Sequence, residues 1–583
     1  MQKRKSRALL MLALCTVLLL GAANVWAATI SQAAPQAIQA PVLKWQQGGC
    51  YSSWCETGWY SSPAVADLNG DGQPEVIASA YSIVALDGAT GHLLWRVRSG
   101  HDRSENPDVV KDVGRTWPGI VIADVDGDGQ PEIVTAHGGG FVSVYDRNGY
   151  FKPGWPQHPV TGELRGLSVA DLDNDGKLEM IVTAAMSSKT NTWVFEPNGS
   201  IRAGWPQLTS NNGYAAGIYN ANAGIADLDG DGMGEIVVPS DVHYIAAYNA
   251  NGVPIQANAR YGNKVWGQVG VHVSDQVDLR GYANCGTEHR PNFANSPATI
   301  ADVNGDGALE VIVVGNVYNC GTNPYTDLYE MPFIFNKDRS RWSGSGFDWT
   351  VIPTPDNKAA PLSEDYNLIE NNLPNPVVAD LDGDGKAEIL YASYDGRVHA
   401  YWLDKTEHGH WPFSVYNASE GFYRFASEPV VADLDNDGHA EVIFAAWPQK
   451  GTNQTGKLYI LDDQGNVLQA VNLPVAFGGG NWNGVLAAPT LANIDSDPDL
   501  ELVLNTANAG FVAYDLPGTA NARIFWGTGR GSYQRNGAGV QPAQAPTPTP
   551  STTAAPTTPT LVPTALTPTP KAHAFLPVIT QKK

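Results

Sequence analysis

The chain has 583 residues, 43% hydrophobic and only 16% charged, with acidic side chains exceeding basic ones by 23. This supplies ample core and excludes the basic footprint with which a protein neutralises nucleic-acid phosphates. Length alone would suggest several domains, so internal repetition has to be weighed first.

Residues 1–27 read as a secretory signal: a basic start at Lys3-Arg-Lys-Ser-Arg7, an apolar run from Ala8 to Ala23, and small residues for cleavage at Val25-Trp-Ala27. No other segment approaches the roughly 18 apolar residues that span a bilayer. The mature chain is therefore expected outside the cell without a transmembrane segment, either free or retained at the surface. Residues 28–42 are rich in Ala, Gln and Pro and read as a flexible lead-in. Four cysteines remain after the signal, and an even number in an exported chain predicts disulfides, Cys50 with Cys55 and Cys285 with Cys320 by closeness in sequence.

The first repeat follows. Pro63-Ala-Val-Ala66 is a short apolar strand, with proline where a strand tolerates it best. An acidic loop comes next, with oxygen-bearing side chains at positions 1, 3, 5 and 9: Asp67, Asn69, Asp71 and Glu75. A glycine at position 6 lets the backbone fold back. Val76-Ile-Ala78, Ile83-Val-Ala-Leu86 and Leu93-Leu-Trp95 complete a unit of four short strands.

The loop recurs at Asp124, Asp126, Asp128, Glu132; at Asp171, Asp173, Asp175, Glu179; at Asp227, Asp229, Asp231, Glu235; and at Asp302, Asn304, Asp306, Glu310. It recurs again at Asp380, Asp382, Asp384, Glu388 and at Asp433, Asp435, Asp437, Glu441. An eighth copy, Asn493-Ile-Asp495-Ser-Asp497-Pro498, ends in Glu501; it has lost the first carboxylate and the turn glycine, and is expected to fold without holding metal well. Successive copies start about 61 residues apart on average, the length of a four-stranded propeller blade. Eight complete units predict an all-β propeller over 43–540 with eight blades, seven being the alternative.

Such loops resemble an EF-hand only in their first six positions. Position 12 is apolar or small (Ala78, Thr135, Tyr391) and the flanks are strands, so that reading fails. Four hard oxygens at one spacing, repeated seven times intact, instead predict about seven calcium ions held in β–β turns.

The two longest intervals flank the fifth loop and carry Cys285, Cys320 and the aromatics Tyr261, Trp266, Tyr282, Tyr325, Tyr329, Trp342, Trp349 and Tyr366. Loops grafted on a rigid scaffold are where function concentrates. The Gly-Trp-Pro-Gln repeats at Gly154 and Gly204, with Trp411-Pro412, recur at blade period and read as inter-blade core. Residues 541–570 are a Pro/Thr/Ala spacer, followed by a short apolar and basic tail over 571–583.

These loops make the chain similar to the FG-GAP/VCBS repeat family, which includes the propeller of integrin α chains with its D-x-D-x-D-G-x-x-D loops. The resemblance covers about residues 60–540. Each loop here ends in Glu where integrins have Asp, closer to the bacterial VCBS-type branch. The resemblance implies ions that rigidify blades and a ligand surface on one face of the disc. The leading functional expectation is a monomeric binding or adhesion module for an extracellular glycan or protein, with no catalytic residue assigned. The alternative is a polysaccharide lyase or hydrolase built on the same propeller. Its candidate cluster is His272, Asp275, Asp278, Arg280, His289 and Arg290, which could supply a base and a cation for uronate charge.

Overall fold

Each repeat folds as its alternation of short apolar runs and tight turns demands. The structure, a computed structural model, describes residues 37–539 apart from 51–55, 57, 186–189, 208–221, 241, 279–288, 320, 322–325, 364, 366, 367, 369–372 and 479. The signal, most of the lead-in, the spacer and the tail lie outside the described residues. So do Cys55, Cys285 and Cys320, on which both expected disulfides depend, and Arg280, Tyr282, Tyr325 and Tyr366.

Eight small antiparallel sheets form a ring, an eight-bladed β-propeller. Blade 1 runs Ala64–Ala66, Glu75–Ser79, Ser82–Asp87 and Leu93–Arg98, matching the expected strands within a few residues. Every second strand lies between neighbouring blades and is buried on both faces. Glu75–Ser79, Glu132–Ala136 and Glu388–Ala392 have no exposed residue. These strands therefore read as unbroken apolar runs rather than an alternation.

Two features depart from four consecutive strands per unit. In blades 2 to 5 the fourth strand is reduced to isolated bridges, such as Tyr145 with Phe151, Phe195 with Ile201, Tyr248 with Pro254 and Phe335 with Arg341. In blade 8 the fourth strand is not the next apolar segment. It is Val42–Gln47 from the start of the chain, paired with Phe511–Leu516. Joining the first strand to the last blade closes the ring.

The apolar stretch that follows, Arg523–Trp526, instead pairs with Val431–Asp433 of blade 7 on the inner side of the ring. From there the chain crosses the axis. The carbonyls of Tyr533, Gln534, Asn536 and Gly537 accept from the N–H groups of Ile122, Val169, Ile225 and Ile300, on the inner strands of blades 2 to 5 in turn. The central channel is plugged by the chain itself.

Tryptophans tie the blades together. The indole N–H of Trp155 donates to the carbonyl of Pro197 at 2.8 Å, Trp205 to Ala250 at 3.1 Å, and Trp411 to Asp463 at 2.8 Å. Trp45, Trp266 and Trp349 make the same reach, to Gly88, Lys337 and Leu403. In each case the acceptor lies in a turn of the next blade, as the inter-blade reading of the Gly-Trp-Pro-Gln motif expects. Of the aromatics in the two long intervals, Tyr261, Trp266, Trp342 and Trp349 are buried in the core between blades 4, 5 and 6, so they pack blades rather than face a ligand.

Candidate metal centres and the axial bowl

The acidic loops sit at the C-terminal ends of the eight inner strands. In the sixth loop Asp380 folds the chain over itself: its Oδ1 accepts from the N–H of Gly383 at 2.8 Å and its Oδ2 from that of Gly385 at 2.9 Å. Gly385 sits at φ +83°, a conformation glycine adopts without strain, which explains the residue at position 6. Position 4 is left-handed as well, and in loops 3 and 7 it is filled by Asn174 and Asn436, the side chains that best tolerate it.

Position 9 does two jobs. Glu388 Oε2 accepts the N–H of Leu381, the residue at position 2, at 2.7 Å. The same bond recurs from Leu68, Val125, Leu172, Leu228, Val303, Leu434 and, in the degenerate copy, Ile494. The apolar second residue is buried each time, so the glutamate fastens the loop to the inter-blade core. That leaves Oε1 directed at the carboxylates of positions 1 and 3. Ligand atoms of Asp380, Asp382 and Glu388 lie within 4.8 Å of one another, and the same holds for the corresponding residues of loops 2, 3, 4 and 7.

These clusters fit a hard cation. Burial, with the nearby aspartates adding to it, pushes the Glu388 carboxyl up to about 9 and that of Glu441 to about 8. Burial also raises Glu235 and Glu310 to about 7. Among the described residues, Oδ1 of the third-position residue is buried without a hydrogen-bond partner at Asp126, Asp173, Asn304 and Asp435. Crowded carboxylates and an unpartnered oxygen are what a nearby cation relieves, a divalent ion in an open loop or, beside Asp126 and Asp173, the side chains of Lys152 and Arg202.

The opposite end of the inner strands carries a second feature that the sequence reading missed. Tyr60, Trp117, Arg165, Asn222, Asn375 and Glu428, on the segments leading into those strands, surround a bowl on the propeller axis. Its floor is the plug, through Gly529, Arg530 and Arg535. The Arg530 N–H donates to Glu428 Oε1 at 2.9 Å and its Nη1 to Thr299 Oγ1 at 3.1 Å. Burial pulls both floor guanidinium groups down to about 10, against the attraction of Glu428. On the rim, Arg165 lies 4.0 Å from the Trp117 ring, and Arg115 lies 5.1 Å from Tyr60 and 5.2 Å from Trp117. Glu163 takes one edge of Arg165 at 2.8 Å. Trp117 Nε1 and Asn375 Oδ1 are buried without a partner among the described residues. No motif marks the bowl, because each blade contributes only one to three residues to it.

Of the residues named for the alternative, enzymatic reading, Arg280 lies outside the described residues, and Asp278 accepts the backbone N–H of His272 at 2.9 Å. Asp278 is fully buried and bridges Arg339 and Arg341, each at 3.2 Å. Asp275 pairs with Arg260 at 2.7 Å, and His289 lies 3.3 Å from Asp327. His272, buried, instead lies beside His243. Asp278 thus serves as the counter-charge for two core arginines, a role for which loop position in the sequence gives no signal.

A family model described as FG-GAP-like repeat matches residues 124–182, 171–238 and 380–444, and each match begins on the first aspartate of a loop. The chain carries FG-GAP-like repeats. No curated protein matches the chain. Solved structures match it distantly over most of its length. The V. cholerae biofilm matrix protein Bap1 is 15% identical, over 82% of this chain and 92% of that one, with a TM-score of 0.37. The exotype rhamnogalacturonan lyase YesX is 15% identical over 83% and 75%, with a TM-score of 0.45. A Bacillus licheniformis rhamnogalacturonan lyase is 16% identical over 82% and 74%, with a TM-score of 0.42. Among the described residues no helix is long and apolar enough to cross a membrane.

Proposed function

We propose that this FG-GAP-repeat propeller is an exported binding module, held rigid by calcium in its acidic loops, that takes an acidic extracellular polysaccharide in the axial bowl. The observation that carries the reading is the rim pair Arg165 on Trp117, 4.0 Å apart, above a floor built on two buried arginines. An aromatic face suits the apolar face of a sugar ring, and a guanidinium beside it suits a carboxylate. The plug makes the bowl a dead end, so a chain would lie across it or insert a terminus rather than thread through. Calcium would hold the blades that carry the rim in place and would touch no ligand there, because the loops are at the other ends of the inner strands.

Titration of the calcium-loaded chain with a polyuronate and with a neutral polysaccharide tests the reading. Selective binding of the polyuronate, weakened at least tenfold by Arg165→Ala and by Trp117→Ala, supports it. Equal binding of both polymers, or variants that bind like the parent, overturns it. Release of unsaturated sugar absorbing in the ultraviolet would replace binding with lyase chemistry.

A further inference from the structure

One strand position distinguishes the loops from one another. Opposite the end of each third strand, the fourth strand contributes a paired residue and then one more at a common register. The paired residues are Leu93, Phe151, Ile201, Pro254, Arg341, Val467 and Leu43 in the seven blades where pairing defines the register. The residues that follow are Leu94 in blade 1, Lys152 in blade 2, Arg202 in blade 3, Ile255 in blade 4, Trp342 in blade 5, Leu468 in blade 7 and Lys44 in blade 8.

Where this residue is basic, its charge sits among the loop carboxylates. Lys152 Nζ lies 2.8 Å from Asp126 Oδ2, 3.1 Å from Asp128 Oδ2 and 2.8 Å from Glu132 Oε1. These are positions 3, 5 and 9, side chains that would surround a bound cation. Arg202 reaches Asp173 at 2.7 Å and Glu179 Oε1 at 3.4 Å in loop 3. Lys44 bridges Asp495 and Glu501, the latter at 3.0 Å, in loop 8.

Loop 8 shows what the arrangement substitutes for. It has lost the first aspartate and the turn glycine, yet it keeps the position 2 to position 9 bond at 2.8 Å and has a lysine at its centre. The basic residue replaces the ion, and Lys152 and Arg202 stand at the same register in two loops whose sequences are intact. Loop 7 also meets an arginine, but Arg523 reaches it from outside this register and grips only Asp433.

We propose that Lys44, Lys152 and Arg202 are built-in counter-cations, so that loops 2, 3 and 8 take no calcium and the chain binds five ions, in loops 1, 4, 5, 6 and 7. An ammonium or guanidinium group within 3.4 Å of two or three carboxylate oxygens occupies the space and cancels the charge that would draw a divalent ion. The inference rests on the reading that intact loops take calcium, and the two fail differently.

The experiment is elemental analysis and native mass spectrometry of the mature chain equilibrated with millimolar calcium. The expected count is five. Lys152→Met and Arg202→Met should each raise it by one, and Ile255→Lys, which places a base at the same register in blade 4, should lower it by one. No bound calcium would sink the calcium reading itself. Any other count than five in the parent chain, or counts that Ile255→Lys and Lys152→Met leave unchanged, would overturn the counter-cation assignment. The parent count and Ile255→Lys decide the matter even if one methionine variant does not fold.

Discussion

Arg535 Nη2 donates to the carbonyl of Pro63 at 2.8 Å, joining residues 472 apart in the chain. The same guanidinium reaches Ile120, Thr528 and Gly529, so one side chain ties the plug to blades 1 and 2. Its removal would leave several buried carbonyls without a donor, each costing about 1–3 kcal/mol. Arg535→Met is expected to lower unfolding free energy by about 3 kcal/mol or more, measured as the shift of the denaturant midpoint. Arg535→Lys should restore little, because one ammonium group cannot reach acceptors spread around a planar fork. A shift below about 1 kcal/mol would show that the plug is not needed to close the ring.

The Trp155 indole separates packing from hydrogen bonding between blades. Trp155→Phe keeps the apolar contact and loses the bond to Pro197, with an expected cost of about 1 kcal/mol. Trp155→Ala also empties a buried site, for about 3–5 kcal/mol. Equal costs for the two variants would mean that the hydrogen bond carries the junction. Trp266 and Trp349, which make the same reach, should follow the same order.

These tryptophans also mark how far the sequence could be read. Blade number, the acidic loops and the Gly-Trp-Pro-Gln motif were legible because they repeat, and a periodic signal survives where a single copy would not. The fourth strand of blade 8 and the plug were not legible. Val42–Gln47 and Arg523–Trp526 have no local cue that one joins the last blade and the other the axis; ring closure decides this, and it is a property of the whole chain. The place of Asp278 was hidden for a related reason. Asp278 looks like a polar residue in a long loop until Arg339 and Arg341, some 60 residues on, are seen to surround it.

Calcium withdrawal should loosen the propeller without dismantling it. Loops 4 and 6 have buried glutamates pressed against aspartates, and among the described residues no base joins the third and ninth positions of either, whereas loops 2 and 3 keep Lys152 and Arg202 there. Hydrogen exchange after chelation is expected to accelerate around Asp227–Glu235 and Asp380–Glu388, and much less around Asp124–Glu132. The melting temperature should fall by several degrees and recover on adding calcium, since a ligand that binds only the folded state stabilises it by mass action. No change in melting temperature would remove calcium from the account of stability.

Acid should destabilise the chain through a histidine as well as through its carboxylates. His137 is fully buried in blade 2, with Thr116 Oγ1 3.1 Å from Nδ1 and Thr135 Oγ1 2.8 Å from Nε2. Burial holds the imidazole neutral and brings its pKa down to about 3, from about 6.5 in the unfolded chain. A depressed pKa contributes stability that is present above about pH 6.5 and is lost as the pH falls toward 3, because only the unfolded chain takes up the proton in that window. The slope approaches one proton, about 1.4 kcal/mol for each pH unit. Denaturation of the parent and of His137→Gln at pH 7, 6, 5 and 4 isolates this contribution, since the carboxylates are common to both. The parent should lose stability more steeply below pH 6, so that the gap between the two narrows or reverses as the pH falls. Parallel curves would mean that His137 takes its proton inside the folded protein.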